Sequence, residues 1–408
     1  APRGKVVRVP IATLDVADGD VVVPEGNDTI VEDFWGPPTV LPHGGRLYVT
    51  YQLGGPSTIR AFTLDGQKAA APEIASVSAI GAMAALPAGQ VTYSSRSYTA
   101  PNAWYRFDPA TGQTEQTRLA TVPAESLNDI RVEREFATSK DGTRVPVNVL
   151  VPRGVAPDHT APCIINGYGG YGVNVQPRFR ITERLLADHG VVYAVANLRG
   201  GGEYGEAWHR QGNLTHKQNV FDDFAASVRH LVEMGYCAAD RVAILGGSNG
   251  GLLMGATMTQ HPALARAVIS FVGIYDMLRV ELSPNGAFNI PEFGTVTKPD
   301  HFQALHAYSP YHNVADAVAY PPTLMLTGEN DPRVDPMQSR KMTARLQAAT
   351  TSSAPILLRT SSDAGHGGDT KLSERIEQMV DVMAFVFHEL GVTFGEPVLP
   401  PRREVLKE

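Results

Sequence analysis

The residues best suited to chemistry lie in the segment Gly246-Gly-Ser248-Asn-Gly250. An apolar run, Val242–Leu245, precedes it, and Gly251–Gln260 reads as a helix, so Ser248 falls on a strand–turn–helix junction. Glycines flanking a serine there allow a sharp turn where a Cβ would clash, and the turn lifts the hydroxyl clear of the sheet. A serine hydroxyl becomes a useful nucleophile only when a base takes its proton and an acid orients that base. In this architecture the acid, then the base, follow the serine along the chain. The loop Gly328-Glu-Asn-Asp331-Pro-Arg-Val334 follows one apolar run, Pro322–Thr327, and Asp363-Ala-Gly-His366-Gly-Gly368 follows another, Pro355–Arg359. Of twelve histidines, His366 stands in a glycine-flanked loop after a late strand, whereas His209, His216 and His230 precede the nucleophile and read as surface or packing residues. For the acid, Glu329, Asp335 and Asp363 compete with Asp331, which lies nearest the place just past a strand end.

A second glycine-rich loop, Gly167-Tyr-Gly-Gly-Tyr-Gly172, fits the dinucleotide pattern G-x-G-x-x-G. Two tyrosines crowd the turn, no acid lies about 20 residues on, and Val173–Arg180 is not a clean helix start. Contribution to an oxyanion hole is the better reading of a glycine-rich loop after an early strand in a hydrolase. No His-Glu-x-x-His occurs, and Asp222-Asp223 and Glu329–Asp331 lack histidines at ligand spacing. The sequence therefore calls for no metal and no cofactor. Asp222-Asp223 reads as a helix opening, where carboxylates favour the positive dipole end.

The elements that must position these residues alternate. Strand candidates are Val145–Val151, Pro162–Ile165, Val191–Asn197, Val242–Leu245, Ala267–Val272, Pro322–Thr327 and Pro355–Arg359. Between several of them lie helical patterns at Phe221–Met234, Gly251–Gln260 and Pro336–Ala349, and a last one follows at Leu372–Leu390. Such alternation predicts a mostly parallel sheet covered on both faces, with its site at the carboxyl ends of the strands. Residues 1–125 read differently. Arg46–Tyr51 and Ile59–Leu64, closed by Asp65-Gly66, reappear as Gln90–Ser94 and Ala103–Phe107, closed by Asp108–Gly112, about 43 to 46 residues on. That period suits a four-stranded propeller blade.

The 408 residues exceed the usual size of one core, and 43% hydrophobic with 19% charged excludes disorder. A formal charge of −7, from 35 basic and 42 acidic residues, argues against nucleic acid. No apolar run approaches the ~20 residues that cross a bilayer, so no membrane partner is expected. The chain reads as soluble, with cytoplasm and periplasm both open. It begins at Ala1, which reads as a processed or excised start. Cys163 and Cys237 make neither a disulfide scaffold nor a zinc site alone, and Cys163, inside an apolar run, reads as a buried inert thiol.

Gly167-Tyr-Gly-Gly-Tyr171, Asn197-Leu-Arg-Gly-Gly-Gly-Glu-Tyr-Gly205, Lys217-Gln-Asn-Val-Phe-Asp-Asp-Phe224, Gly246-Gly-Ser-Asn-Gly-Gly251 and Asp363-Ala-Gly-His-Gly367 together resemble the prolyl oligopeptidase family of serine peptidases. The resemblance spans about residues 135–395. It implies an α/β fold: an α/β-hydrolase catalytic domain over 129–408, preceded over 1–128 by the C-terminal blades of a partial all-β propeller. It implies Ser248 as nucleophile, His366 as base, Asp331 as its orienting acid, and an oxyanion hole from the Asn249 N–H and the Tyr168 hydroxyl. Arg333 matches an arginine that holds a substrate carbonyl. Tyr171, Ile274, Phe293 and Val334 fall on pocket positions, and Asn289 stands where the family carries a tryptophan that stacks on proline. Glu292, nearby, keeps a basic preference open. The implied function is a serine oligopeptidase acting on short peptides through an acyl-enzyme, with cleavage after proline as first choice. An esterase or acyl hydrolase, and an oligopeptidase of basic or broad specificity, stand as alternatives on the same triad. A scaffold protein built on the incomplete propeller would require a non-productive triad. The resemblance also implies propeller blades absent before Ala1, so a second chain or fragment completing the propeller is a candidate partner beside the oligopeptide substrate.

Overall fold

The computed structural model describes residues 1–30, 38–367 and 370–395. Strands β1 (Val6–Arg8) and β2 (Asp20–Val23) form an antiparallel ribbon. Two four-stranded antiparallel sheets follow: β3 (Val40–His43), β4 (Arg46–Gln52), β5 (Ser57–Thr63), β6 (Lys68–Ala69), then β7 (Ser78–Ala85), β8 (Val91–Ser97), β9 (Ala103–Asp108), β10 (Gln113–Ala120). The repeat seen in the sequence is now explained. β4 and β8 are the second strands of their sheets, β5 and β9 the third, and the hairpin turns fall at matching places. Tyr48, Ile59 and Ala61 of one sheet pack against Ile80, Val91, Tyr93 and Phe107 of the other, as adjacent blades do. Among the described residues this region holds two such sheets and the ribbon.

An eight-stranded sheet forms the rest: β11 (Arg131–Thr138), β12 (Arg144–Val151), β13 (Cys163–Gly167), β14 (Val192–Ala196), β15 (Val242–Gly247), β16 (Ala267–Phe271), β17 (Thr323–Gly328) and β18 (Ile356–Ser361), in the order 11-12-14-13-15-16-17-18. β13 to β18 pair in parallel, whereas β12 pairs antiparallel with both β11 and β14. The eighth strand, β11, escapes the sequence reading because Arg131-Val-Glu-Arg-Glu-Phe-Ala-Thr138 is charged. It is an edge strand, and edges tolerate charge.

The connecting helices are α1 (Thr182–Asp188), α2 (Glu206–Arg210), α3 (Gln218–Glu233), α4 (Asn249–Gln260), α5 (Gly286–Phe293), α6 (Pro299–Tyr308), α7 (Met337–Ala349) and α8 (Leu372–Glu389). Both faces of the sheet are covered, which the strands' alternation requires. Cys163, Ile165, Val242 and Ile244 join the core beneath α3, α4 and α7, while Ile164 and Ala243 join the core beneath α1 and α8.

Two expectations need correction. Helix α3 starts at Gln218, so Asp222-Asp223 lies a turn inside it rather than at its positive end. Asp223 is fully buried and binds the Arg199 guanidinium at 2.6 Å, which is what a buried carboxylate there needs. Cys163 is no free thiol: it is bonded to Cys237, 74 residues on. The short loop after α3 returns the chain to the foot of β13 and brings the two cysteines together. In the chain-entropy picture, closing a loop of that length stabilises the fold by about 4 kcal/mol. Cys163→Ala with Cys237→Ala is expected to lower the thermal midpoint by about 5 °C. An unchanged midpoint under oxidising conditions would contradict the crosslink.

Candidate active site

Strand β15 ends in Gly246-Gly247 and α4 begins at Asn249, leaving Ser248 between them at φ 58°, ψ −118°. This is a strained backbone for a residue with a side chain, of the kind concentrated at reactive sites. A Cβ at Gly246 would meet the Gly250 carbonyl at 2.4 Å, and one at Gly250 would meet the Gly167 carbonyl at 2.7 Å. Both glycines are therefore required by close backbone approach. The turn holds the half-buried Ser248 hydroxyl above the parallel strands.

Asp331 follows β17 and His366 follows β18, adjacent parallel strands. Their loops are tied together: the N–H of Glu329 donates to the Ser361 carbonyl at 3.0 Å and that of Asn330 to the Ala364 carbonyl at 3.1 Å. Asp331 Oδ2 accepts from His366 Nδ1 at 2.7 Å, and His366 Nε2 lies 3.0 Å from Ser248 Oγ, placed to accept its proton. Burial alone would raise the Asp331 carboxyl. Hydrogen bonds from His366 and from the N–H groups of Val334 and Arg333, at 2.9 and 2.8 Å on Oδ1, outweigh it and hold the group below its ordinary value. An ionised Asp331 fixes the tautomer that leaves Nε2 free to accept. Of the four competing acids, Asp331 is the one bonded to His366. The motif's last glycine, Gly368, lies outside the described residues.

Asn249 opens α4, where a first-turn N–H has no acceptor within the helix. Its side chain donates to the Tyr168 carbonyl, tying the Gly167–Gly172 loop to the serine turn. The Tyr168 hydroxyl lies against Ser248; burial, then the Glu292 charge, push its pKa up to about 12, so it stays a neutral donor. Ser248, His366, Tyr168 and Arg333 border one cavity, and Arg333 is exposed there.

The five proposed pocket residues group together. Ile274, Phe293 and Val334 are buried in the core beneath α3 and α4, with Tyr171 packed against them. Tyr171 meets Phe293 edge-on at 5.6 Å and donates its hydroxyl to Asn289 Oδ1 at 2.7 Å. It also stacks on Phe288 at 5.7 Å. Phe288 escapes the sequence reading, although it adjoins Asn289.

Glu292 does not stand free. It is buried, with Oε1 accepting from Lys217 Nζ at 2.7 Å and Oε2 bonded to His209 at 2.9 Å. The carboxylate that kept a basic preference open is thus already neutralised within the protein. Lys217, missed as a site residue, also donates to the Gly169 carbonyl at 3.0 Å and so braces the loop carrying Tyr168 and Tyr171. Among the described residues no cluster of three or more histidine, cysteine, aspartate or glutamate side chains is arranged to hold a metal. None of the helices described there is long and apolar enough to cross a membrane.

Residues 177–393 match the prolyl oligopeptidase family, and residues 1–120 match the prolyl oligopeptidase N-terminal beta-propeller domain. The chain is 34% identical over 351 residues to a prolyl endopeptidase of Elizabethkingia meningoseptica, covering 86% of this chain and 50% of that protein. It is 36% identical over 304 residues to dipeptidyl aminopeptidase BI of Pseudoxanthomonas mexicana, covering 74% and 42%. A solved structure from a study of two prolyl endopeptidases superposes with a TM-score of 0.89 at 41% identity, covering 96% of this chain and 57% of that one. The chain spans about half the length of the curated relatives it matches.

Proposed function

Because this chain belongs to the prolyl oligopeptidase family of serine peptidases, we propose that it hydrolyses short peptides through an acyl-enzyme formed on Ser248. The observation that carries the reading is the unbroken chain of hydrogen bonds from Asp331 through His366 to Ser248 on a strained turn. In this reading Ser248 Oγ attacks the scissile carbonyl while His366 Nε2 takes its proton. The carbonyl oxygen gains negative charge and moves toward the Asn249 N–H and the Tyr168 hydroxyl, donors already in place before the reaction. Collapse breaks the C–N bond as His366 returns the proton to the leaving amine. Water then repeats the sequence on the ester, with His366 as base. Arg333, exposed at the cavity's edge, holds a carbonyl on the acyl side.

The acyl residue is proposed to be proline. A ring bound against Tyr171 and the exposed Phe288, with Phe293 packed behind Tyr171, meets an aromatic surface, whereas an arginine would find Glu292 already paired to Lys217 and His209. Asn289 narrows the distinction from small residues, because its amide supplies no flat wall. Turnover of blocked prolyl, alanyl and arginyl reporters decides the matter. The prolyl reporter is expected to lead both others by at least about tenfold in kcat/KM, an advantage of roughly 1.4 kcal/mol. A lead by the arginyl reporter would overturn the specificity. Turnover of simple esters with none of the three reporters would overturn the peptidase reading itself.

A further inference from the structure

The cavity bordered by Ser248 and His366 reaches well past them. Its volume is about 510 Å³. Its floor is apolar, formed by Ile164 of β13, Leu245 of β15, and Met379 and Met383 of α8. Leu245 lies three residues before Ser248, so the floor sits roughly 10 Å below the hydroxyl at the rise of a strand. The remaining wall carries Tyr193 of β14, Glu183 of α1, and Arg180 just before it. β14 lies two strands from β15, again roughly 10 Å away.

This cavity is not the acyl pocket. Ile274, Phe293 and Val334 belong to the core beneath α3 and α4, with Tyr171 packed on it. Ile164, Tyr193 and Leu186 belong to the core on the other face, beneath α1 and α8, with Leu245 and Met383 packed on it. The cavity and the cluster around Tyr171 therefore lie toward opposite faces of the sheet. A peptide lying across Ser248 with its acyl residue against Tyr171 sends its other half toward the second face. His366, which must hand a proton to the leaving amine, borders the cavity there.

Building on the peptidase reading above, we propose that the part of this cavity lined by Ile164, Leu245, Met383 and Tyr193 is the leaving-group pocket, which takes a single apolar residue and pairs its free carboxylate with Arg180, while Arg333 at the cavity's rim stays with the acyl side. Arg180 is solvent-accessible, and among the described residues its guanidinium makes one hydrogen bond, to the Tyr193 hydroxyl at a long 3.5 Å. Most of its donors are open to a ligand, and a guanidinium accepts a carboxylate through two parallel bonds. The neighbouring acid does not oppose this. Glu183 is buried among Arg180, Tyr98 and Tyr193, and burial pushes its pKa up to about 8. At neutral pH it is mostly protonated and repels no incoming carboxylate. When Ser248 Oγ bonds to the carbonyl carbon and the C–N bond breaks, the amine takes the proton from His366. The released amino acid is then held in the cavity by its apolar side chain and its carboxylate.

The test separates binding from turnover. In the full chain carrying Ser248→Ala, calorimetry compares a blocked peptide ending in prolyl-phenylalanine as the free acid with its carboxamide. The acid is expected to bind at least about tenfold tighter, about 1.4 kcal/mol. Adding Arg180→Met is expected to shrink that ratio below twofold, and Arg180→Lys to retain part of it. General damage to the fold moves acid and amide together, so the ratio reports the contact alone. Equal affinity for acid and amide, including no binding of either, overturns the proposal, as does a ratio that survives Arg180→Met. Failure of the peptidase reading is seen separately, as absence of turnover of either peptide by the unsubstituted chain.

Discussion

Replacing Ser248 with alanine is expected to lower kcat by about 10⁵- to 10⁶-fold and to abolish labelling by a fluorophosphonate. The size follows from how such groups act: removing the nucleophile makes the base and its acid useless for the same step, so one substitution costs nearly as much as three. Asp331→Asn is expected to cost about 10⁴-fold while leaving the fold intact. An asparagine amide can donate to His366 Nδ1, which places the ring proton on Nε2. Nε2 then faces Ser248 Oγ at 3.0 Å as a donor instead of an acceptor. Tyr168→Phe, losing one of two donors to the oxyanion, is expected to cost less, on the order of 10²-fold. This ranking distinguishes the mechanism from a merely structural role for the three residues. Steady-state kinetics on the best reporter, with thermal midpoints measured in parallel, would show it. Persistent labelling of the Ser248→Ala protein, or equal losses for Asp331→Asn and Tyr168→Phe, would contradict the assignment. Stability offers an independent reading. Ser248→Gly should raise the midpoint slightly, because glycine adopts φ 58° without strain.

What the sequence revealed depended on how local the cause was. The Ser248 turn was legible because its requirements lie within five residues: Gly246 and Gly250 are needed where backbone meets backbone. Helix α3 was legible from its apolar spacing, but its start was placed three residues late, since Gln218-Asn-Val220 carries little of that pattern. α5 was missed altogether. It is eight residues long, opens on Gly286 and contains Pro291, so propensity argues against it, and burial of Phe293 and Glu292 holds it in place. The Cys163–Cys237 bond and the Arg199–Asp223 pair join residues from different elements. Nothing in their spacing records that the fold makes them neighbours. The same limit explains Glu292. Read alone it is a carboxylate near a pocket, and only the fold reveals that Lys217 has already claimed it.

That pairing carries the other large effect, on stability rather than chemistry. Glu292→Gln is expected to destabilise the protein by about 3–5 kcal/mol, because the Lys217 ammonium, fully buried, would lose its countercharge. Replacing both partners, as Lys217→Met with Glu292→Leu, is expected to recover most of that loss, since no charge is then left buried. Activity should not recover in parallel: the Lys217 bond to the Gly169 carbonyl, which braces the Tyr168 loop, is missing in the double variant. The pH dependence has a definite sign. Burial would raise the Glu292 carboxyl, but Lys217 and His209 outweigh it and hold its folded value below the ordinary 4.5. The stability it provides is therefore present above pH 4.5 and is lost as pH falls through the depressed folded value. Thermal midpoints from pH 3 to 8 should show a wide gap between the parent chain and Glu292→Gln at neutrality, closing as pH falls through the depressed folded value. A gap that does not change with pH would mean that the carboxylate contributes by shape rather than charge. The arginyl-to-prolyl ratio in kcat/KM provides the functional counterpart. If Glu292 is committed to Lys217 and His209, Glu292→Gln lowers both rates through the loop and leaves their ratio unchanged. A selective loss of the arginyl reporter would instead make Glu292 the floor of a pocket for basic residues.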